Sequence, residues 1–462
     1  MQSGRRGRKK GLRTILTAEV ADEIEELIGP EASAALDFEA LETGLRRQVL
    51  ALAARAVERW LNADTSDGAE PTLPCSCGQP GRYAGRRPKW LQCALGMVRF
   101  ERAYYHCAGC QTGFCPRDRE LGLDGGSLSP ALRRMVGAVG ALVSFQEGSQ
   151  LLEELAGVGL DPKQVERTAE RLGREIAQDE RRVVIPEPPP APTMYLGLDG
   201  TGVPMRASEV EERAGKQPDG SAKTREVKLV TVWTAELQDE KGLPMRDPGS
   251  VSYSAAIETA ASRDTDKELA PFAQRVEREA RRRGFDHAHR RVVLGDGAPW
   301  IWNLADEVLP GAVQIVDLYH AKGHLWDVAK AIYGAGTDLA EQWAKKRRDE
   351  LDEGNLDAIL AALRLHATSH DEARKCLDYV QRNRSRMRYP DFRAQGLCVA
   401  SGVVEAGCKL AIGTRLKRAG MHWTVAGADA IIALRCARLS SRFEDFWQRR
   451  SETPAPSAVA GG

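Results

Sequence analysis

Apolar residues recur three and four positions apart from about Leu12 to Asn62. Ile24, Leu27 and Ile28 make one set and Leu50, Leu52, Ala53 and Val57 another, a pattern that predicts helices. Polar residues Asp64–Pro74 break the rhythm. Between Cys75 and Cys115 the texture becomes strand-like, with Trp90–Leu95 and Met97–Tyr105 flanking Gly96 as a predicted hairpin. Helices resume near Ser129, where Ser129-Pro130 supplies a cap and a first-turn proline. A helix over about Gln146–Leu155, the small turn Ala156–Leu160 and a second helix from Asp161-Pro162 to about Ile176 outline a helix-turn-helix. An ordinary helical hairpin has the same pattern.

Pro186–Pro192 is dense in proline, which joins neither a helix interior nor a central strand, so a linker is expected there. Beyond it, Tyr195–Leu198, Val227–Trp233 and Val251–Ser254 are predicted strands, followed by an amphipathic helix over about Lys267–Arg283. Strands Arg291–Leu294 and Val313–Val316 come next, with helices around Trp300–Val308 and Ala321–Tyr333. This order describes an α/β layer with a mixed sheet. The polar helical stretch from about Asp338 to Asn383 reads as an insertion, helices return at Ser401–Leu416 and Val425–Phe446, and Ser451–Gly462 reads as a disordered tail.

Composition narrows the class. The 462 residues allow roughly two to four domains. Hydrophobic residues make up 42% and charged residues 28%, enough for a core and a soluble surface. The longest nearly apolar run, Met135–Phe145, falls short of the about 20 residues needed to cross a bilayer, and basic Met1–Arg13 lacks the apolar centre of a secretory signal. A cytoplasmic protein without a membrane partner is expected. The net charge of +1 gives no global pull on nucleic acid. Attraction to phosphate then depends on local clusters: Arg5–Arg13, Arg82–Lys89, Lys345–Arg348, Arg382–Arg388 and Arg415–Arg418.

Two segments share a design. Tyr195-Leu196-Gly197-Leu198-Asp199-Gly200 and Val292-Val293-Leu294-Gly295-Asp296-Gly297 each run an apolar strand into Asp-Gly. Either alone is an ordinary strand ending. Side by side, the two strands bring Asp199 and Asp296 within reach of one hard cation, and the glycines leave room for a substrate backbone. Glu405 is the best third carboxylate: Ser401 is a natural N-cap, which puts Glu405 in the second turn among small and apolar neighbours. Lys409, one turn on, is the alternative partner. Asp317 and His320 stand three apart at a strand-to-helix junction, either as a simple cap with a surface histidine or at the same catalytic edge.

Six of the ten cysteines fall between Cys75 and Cys115. Cys75-Ser76-Cys77 and Cys107-Ala108-Gly109-Cys110 bracket the hairpin, the layout of a zinc ribbon. His106 and Cys115 are possible substitutes for one ligand, while Cys93 reads as packing. Arg82, Arg86, Arg87, Lys89, Arg99 and Arg102 lie between the pairs and are candidate phosphate contacts.

Taken together, Leu198–Pro204, Leu294–Trp302, Ser401–Ala406 and Arg415-Leu416-Lys417 through Gly420–Trp423 resemble the RNase H-like DDE transposases of bacterial insertion sequences, most closely the IS-Kra type. The resemblance extends upstream through the cysteine module. It implies that Asp199, Asp296 and Glu405 bind Mg²⁺ or Mn²⁺ as two ions, with Asp317 and His320 beside them. It also implies cleavage at transposon ends followed by strand transfer on double-stranded DNA, a homo-oligomer in a synaptic complex, and a bacterial, nucleoid-associated location. Arg415, Lys417 and Arg418 join Arg82, Arg86, Arg87 and Lys89 as expected DNA contacts. Runner-up functions are a zinc-containing DNA-binding regulator and a nuclease derived from a transposase.

The expected fold is multidomain α/β. Residues 1–70 form a helical region, 71–120 a zinc-ribbon-like module, 121–185 a helix-turn-helix-like DNA-binding region and 186–193 a linker. An RNase H-like mixed-sheet catalytic domain occupies 194–334 and 396–450, interrupted by an α-helical insertion over 335–395, and 451–462 is tail.

Overall fold

The computed structural model describes residues 37–123, 126–183, 188–210, 223–240, 242–261, 268–400 and 402–452. The basic run Arg5–Arg13, the apolar set Ile24, Leu27 and Ile28, the cap Ser401 and the tail beyond 452 lie outside the described residues. The chain divides into two compact units, one running to Leu172 and resuming at Glu444, the other spanning Gly173–Phe443.

In the first unit, α1 (Phe38–Ala63) starts at Asp37, whose carboxylate accepts from the Ala40 amide at 2.8 Å. The helical period holds, but the buried residues are Ala54 and Leu61, with Val57 and Trp60 partly covered. They pack on Leu91, Val98 and Phe100 of a four-stranded antiparallel sheet in the order β1 (Thr72–Pro74), β2 (Pro80–Cys93), β3 (Gly96–Cys107), β4 (Thr112–Phe114). The predicted hairpin is therefore present and longer than expected. A register shift between Tyr83 and Arg86 kinks β2, where Gly85 takes φ +93°. After the short α2 (Pro116–Glu120), α3 (Pro130–Leu142) is capped by Ser129. A capping box of Ser144 and Glu147 opens α4 (Phe145–Ala156), and Gly157 at φ +67° ends it before α5 (Pro162–Arg182). That helix runs past the predicted end at Ile176 to Arg182. The division between the units falls inside it.

The second unit is built on a five-stranded mixed sheet. Its strands are β5 (Thr193–Pro204), β6 (Thr224–Thr234), β9 (Ser252–Ala256), β10 (Arg290–Gly295) and β11 (Val313–Val316), in the spatial order β11-β10-β5-β6-β9. A small hairpin, β7 (Leu237–Gln238) with β8 (Pro244–Met245), sits between β6 and β9 in the chain. β6 is antiparallel to β5 and β9, whereas β10 and β11 run parallel to β5. Parallel neighbours need crossovers, supplied by α6 (Pro271–Arg283) and α7 (Pro299–Val308).

Two expectations change here. β5 does not end at Asp199-Gly200; it continues to Pro204, paired with β6 from Asp199↔Leu229 to Pro204↔Thr224. The hairpin thus outruns β10, which stops one residue before Asp296. The stretch read as an insertion is helical, as α9 (Asp338–Asp352), α10 (Leu356–Arg364), α11 (Asp371–Asn383) and α12 (Tyr389–Ala394), following α8 (Leu318–Tyr333). Its buried faces, including Leu351, Ile359, Leu363 and Val380, belong to the same core as the sheet residues Leu196, Val230 and Val293, so it is no separate lobe.

The end of the unit holds α13 (Val403–Gly407), a π-helical segment Cys408–Gly413, the short turn Thr414–Leu416 and α14 (Val425–Leu439). The predicted single helix Val425–Phe446 breaks at Ser441, φ +57°, and α15 (Phe443–Glu452) follows. Charge is buried as well. Glu279 on α6 accepts from Ser252 Oγ at 2.6 Å and from Arg282 and Arg442 at 2.9 Å each. Among the described residues, no helix is long and apolar enough to cross a membrane.

Candidate functional site

The sheet register puts Asp199 and Asp296 side by side. β10 pairs in parallel with β5 as Gly295↔Leu198, and each aspartate is the next residue along. The Gly200 amide donates to Asp199 Oδ1 at 2.7 Å, and the Ala298 amide donates to Asp296 Oδ1 at 2.8 Å. Burial pushes the Asp199 carboxyl above its ordinary range, and the neighbouring charge of Asp296 adds to the rise; the Cys408 thiol, which donates to it, pulls the other way. The Cys408 thiol itself is driven up by burial and by Asp199. A cation between the aspartates would relieve this repulsion.

The glycines after these aspartates lie against the protein's own side chains. A Cβ on Gly297, whose φ is +98°, would stand 2.4 Å from the Tyr379 ring, and one on Gly200 would stand 2.5 Å from Glu226 Oε1. They admit the protein's own side chains.

Glu405 reaches the same cleft by close packing. A Cβ on Gly197 would stand 2.3 Å from Val404 Cγ2, and one on Gly407 3.0 Å from both Leu229 and Thr231, so α13 lies directly on the sheet. The cap is Gly402 in the left-handed region at φ +59°, which places Glu405 in the first turn and not the second. Glu405 is exposed, so the burial cost expected from its apolar neighbours does not arise. Among the described residues, no ion pair joins it to Lys409. Beyond α13 the chain widens into the π segment, a conformation that leaves carbonyls short of partners. Arg435 supplies them, its Nε donating to the Ala411 carbonyl at 2.8 Å and its Nη2 to the Leu410 carbonyl.

Asp317 caps α8 by accepting from the Tyr319 and His320 amides at 2.9 and 3.2 Å. Its own amide donates to the Gly295 carbonyl at 2.8 Å, next to Asp296. Asp199, Asp296, Asp317, His320 and Glu405 all line one open cleft of about 470 Å³. Sequence reasoning missed several neighbours. His324 and Asp327 line the cleft one and two turns along α8 from His320. The His320 and His324 rings meet edge to face at 4.9 Å, and His324 lies 4.3 Å from the Tyr379 ring. Burial, then the charge of His320, pulls His324 below its ordinary value. From α11, Tyr379 Oη donates to the Asp296 carbonyl at 2.8 Å, and Asn383 Nδ2 donates to that of Gly297 at 3.3 Å. The helical spacing His320, His324, Asp327 was the available signal.

In the first unit, four sulfurs form a compact group. Cys75 and Cys110 Sγ lie 3.6 Å apart, as do Cys77 and Cys107, and all four lie within 4.8 Å of one another. A tetrahedral zinc with Zn–S of about 2.3 Å would set these edges at about 3.8 Å, so the group could hold a structural metal such as zinc. The turn at Gly78 (φ +83°) holds one pair and the β3–β4 connection holds the other. Thr112, through its hydroxyl and amide, draws Cys110 down to about 6. His106 adjoins Cys107 on β3 and so faces the opposite side of the sheet, and Cys115 stands outside the group beside Arg102 and Asp118. Neither substitutes for a ligand. Cys93 packs against the α1 core, as expected.

The basic residues divide. Arg86 pairs with Asp67 at 2.9 Å, Lys89 with Asp118 at 3.1 Å, and Arg102 also with Asp118, so these charges are spent on the fold. Arg82 and Arg87 are exposed, Arg87 lying 4.4 Å over the Tyr104 ring. Arg415 is fully buried, 5.1 Å over the Trp423 ring, and cannot touch DNA from there. Trp423 is bonded to β5 in turn, its amide donating to the Pro204 carbonyl at 3.1 Å. The Arg415–Trp423 stretch therefore braces the β5 extension. Lys417 is exposed and donates to Thr201 Oγ1, and Arg418 is half-buried.

The chain matches no protein-family model and none of the curated proteins compared with it.

Proposed function

We propose that this chain is a DNA transposase that cuts the ends of an insertion sequence and joins them to target DNA. The observation that carries the proposal is the meeting of Asp199, Asp296 and Glu405, from two parallel neighbouring strands and a helix packed on the same sheet, in one cleft. A strand order of 3-2-1-4-5 within this sheet, with only the second strand running against the other four, supports an RNase H-like catalytic domain.

The donor set suits Mg²⁺ or Mn²⁺, which prefer carboxylate oxygens and retain water. Among the described residues, the cysteine group is the one set of three or more such ligands gathered closely enough to hold a single metal ion, so a pair of ions, about 3.5–4 Å apart, is the arrangement proposed for the three carboxylates. When bound, the ions would stabilise the attacking and leaving oxygens at phosphorus, first for water and then for the freed 3′-hydroxyl. The chain's own part is positioning. Asp199 is held between Gly200 and Cys408, the Asp296 loop is fixed from behind by Tyr379 and Asn383, and Asp317 anchors the helix that presents His320 to the cleft. The cysteine group would hold zinc as a structural brace, with exposed Arg82 and Arg87 free to meet duplex phosphates.

The test is a strand-transfer assay with end-labelled duplex carrying the element's ends, in Mg²⁺. Joined products that vanish with EDTA are expected; cut but unjoined DNA would identify a nuclease, and binding without cutting a regulator.

A further inference from the structure

Four large apolar side chains on α1 face solvent: Phe38 is 77% exposed, Leu41 46%, Leu45 44% and Val49 47%. At 3.6 residues per turn they fall within roughly 80° of arc, one continuous stripe. Only the second half of the helix is covered by the sheet, through Ala54 and Leu61. Leu151 and Leu155 of the neighbouring α4 are exposed as well, and Arg46 at the flank of the stripe donates to the Leu155 carbonyl. A contiguous apolar surface of this kind marks an association site, unlike scattered single residues.

We propose that a second copy of this chain packs on this stripe, with the two α1 helices antiparallel. Charge selects that occupant. Glu42 and Arg46 lie on the same flank of the stripe, while Gly44 and Gln48 stand on the other. In an antiparallel pair, like flanks face each other. Phe38 then meets Val49 of the second copy, Leu41 meets Leu45, and Glu42 meets Arg46, each pair occurring twice by the two-fold symmetry. A parallel pair would instead set Glu42 across from the flank of Asp37, Gly44 and Gln48, where no cation meets it. The proposal rests on α1 alone and stands apart from the catalytic reading.

Sedimentation velocity of the full-length protein across a concentration series tests it. The expected result is a monomer that converts to a dimer, with conversion abolished by Leu41→Glu or Leu45→Glu at unchanged helical content. Glu42→Arg and Arg46→Glu should each weaken the dimer several-fold, and the two together should restore it. A protein that stays monomeric throughout, a dimer undiminished by Leu41→Glu, or a double reversal no tighter than the singles would overturn the proposal. So would a full-length monomer that dimerises only after residues 1–36 are removed, since the stripe would then be covered by its own chain.

Discussion

Tyr379 reaches across 83 positions of sequence to donate its hydroxyl to the carbonyl of Asp296 at 2.8 Å, while its ring fills the space where a Cβ on Gly297 would lie. The loop bearing a proposed metal ligand is thus shaped by a helix from the stretch that reads as an insertion. Tyr379→Phe keeps the ring and removes the bond, leaving a part-buried carbonyl unsatisfied at a cost of about 1–3 kcal/mol. Cleavage should fall by roughly tenfold or more with DNA binding unchanged, measured as single-turnover rate against gel-shift affinity. Gly297→Ala faces both the φ of +98° and the ring, and should lower the melting temperature as well.

Glu279 predicts a pH dependence of stability. Burial raises its pKa, but the Arg442 and Arg282 guanidiniums and the Ser252 hydroxyl more than offset this, leaving it below the ordinary 4.5. A depressed carboxylate contributes stability present above its unfolded pKa and lost as pH falls through the folded one. Glu279→Gln, which leaves Glu180 as the remaining carboxylate for Arg442 and Arg282, should destabilise by about 2–3 kcal/mol near pH 7. The gap from the unsubstituted protein should narrow as pH drops below 4.5 in urea titrations.

Much of this was legible in the chain. Each strand of the mixed sheet has an apolar run bounded by turn residues, and Asp199 and Asp296 follow two such runs in matched positions. Burial of charge was not legible. Arg415 and Lys417 belong to one basic cluster in the sequence, yet Trp423 encloses the first and solvent surrounds the second. The cleft's other wall was equally hidden, because helical period gives the face of α11 or α8 without saying which face meets a distant strand end. Glu405 misled in a different way: apolar neighbours in sequence point it to the interior, but in a helix they occupy other faces.

Those two basic residues separate by experiment. Arg415→Ala should lower the melting temperature by several degrees, since it empties a fully buried site. Lys417→Ala should leave it unchanged, in differential scanning calorimetry of both variants.

The sulfur group predicts about one zinc per chain by elemental analysis. Cys107→Ser should lose the metal and expose the β2–β3 hairpin to protease, whereas Cys115→Ser, outside the group, should retain full zinc.

The most direct test of the shared carboxylate site is Glu405→Gln, assayed for cleavage of end-labelled duplex in Mg²⁺ beside a gel-shift titration of the same DNA. This substitution removes a charge from an exposed side chain and has little to do to the fold. Cleavage should drop on the order of 100-fold or more while affinity for the duplex stays at the unsubstituted level. Cleavage by Glu405→Gln at the unsubstituted rate would contradict the site.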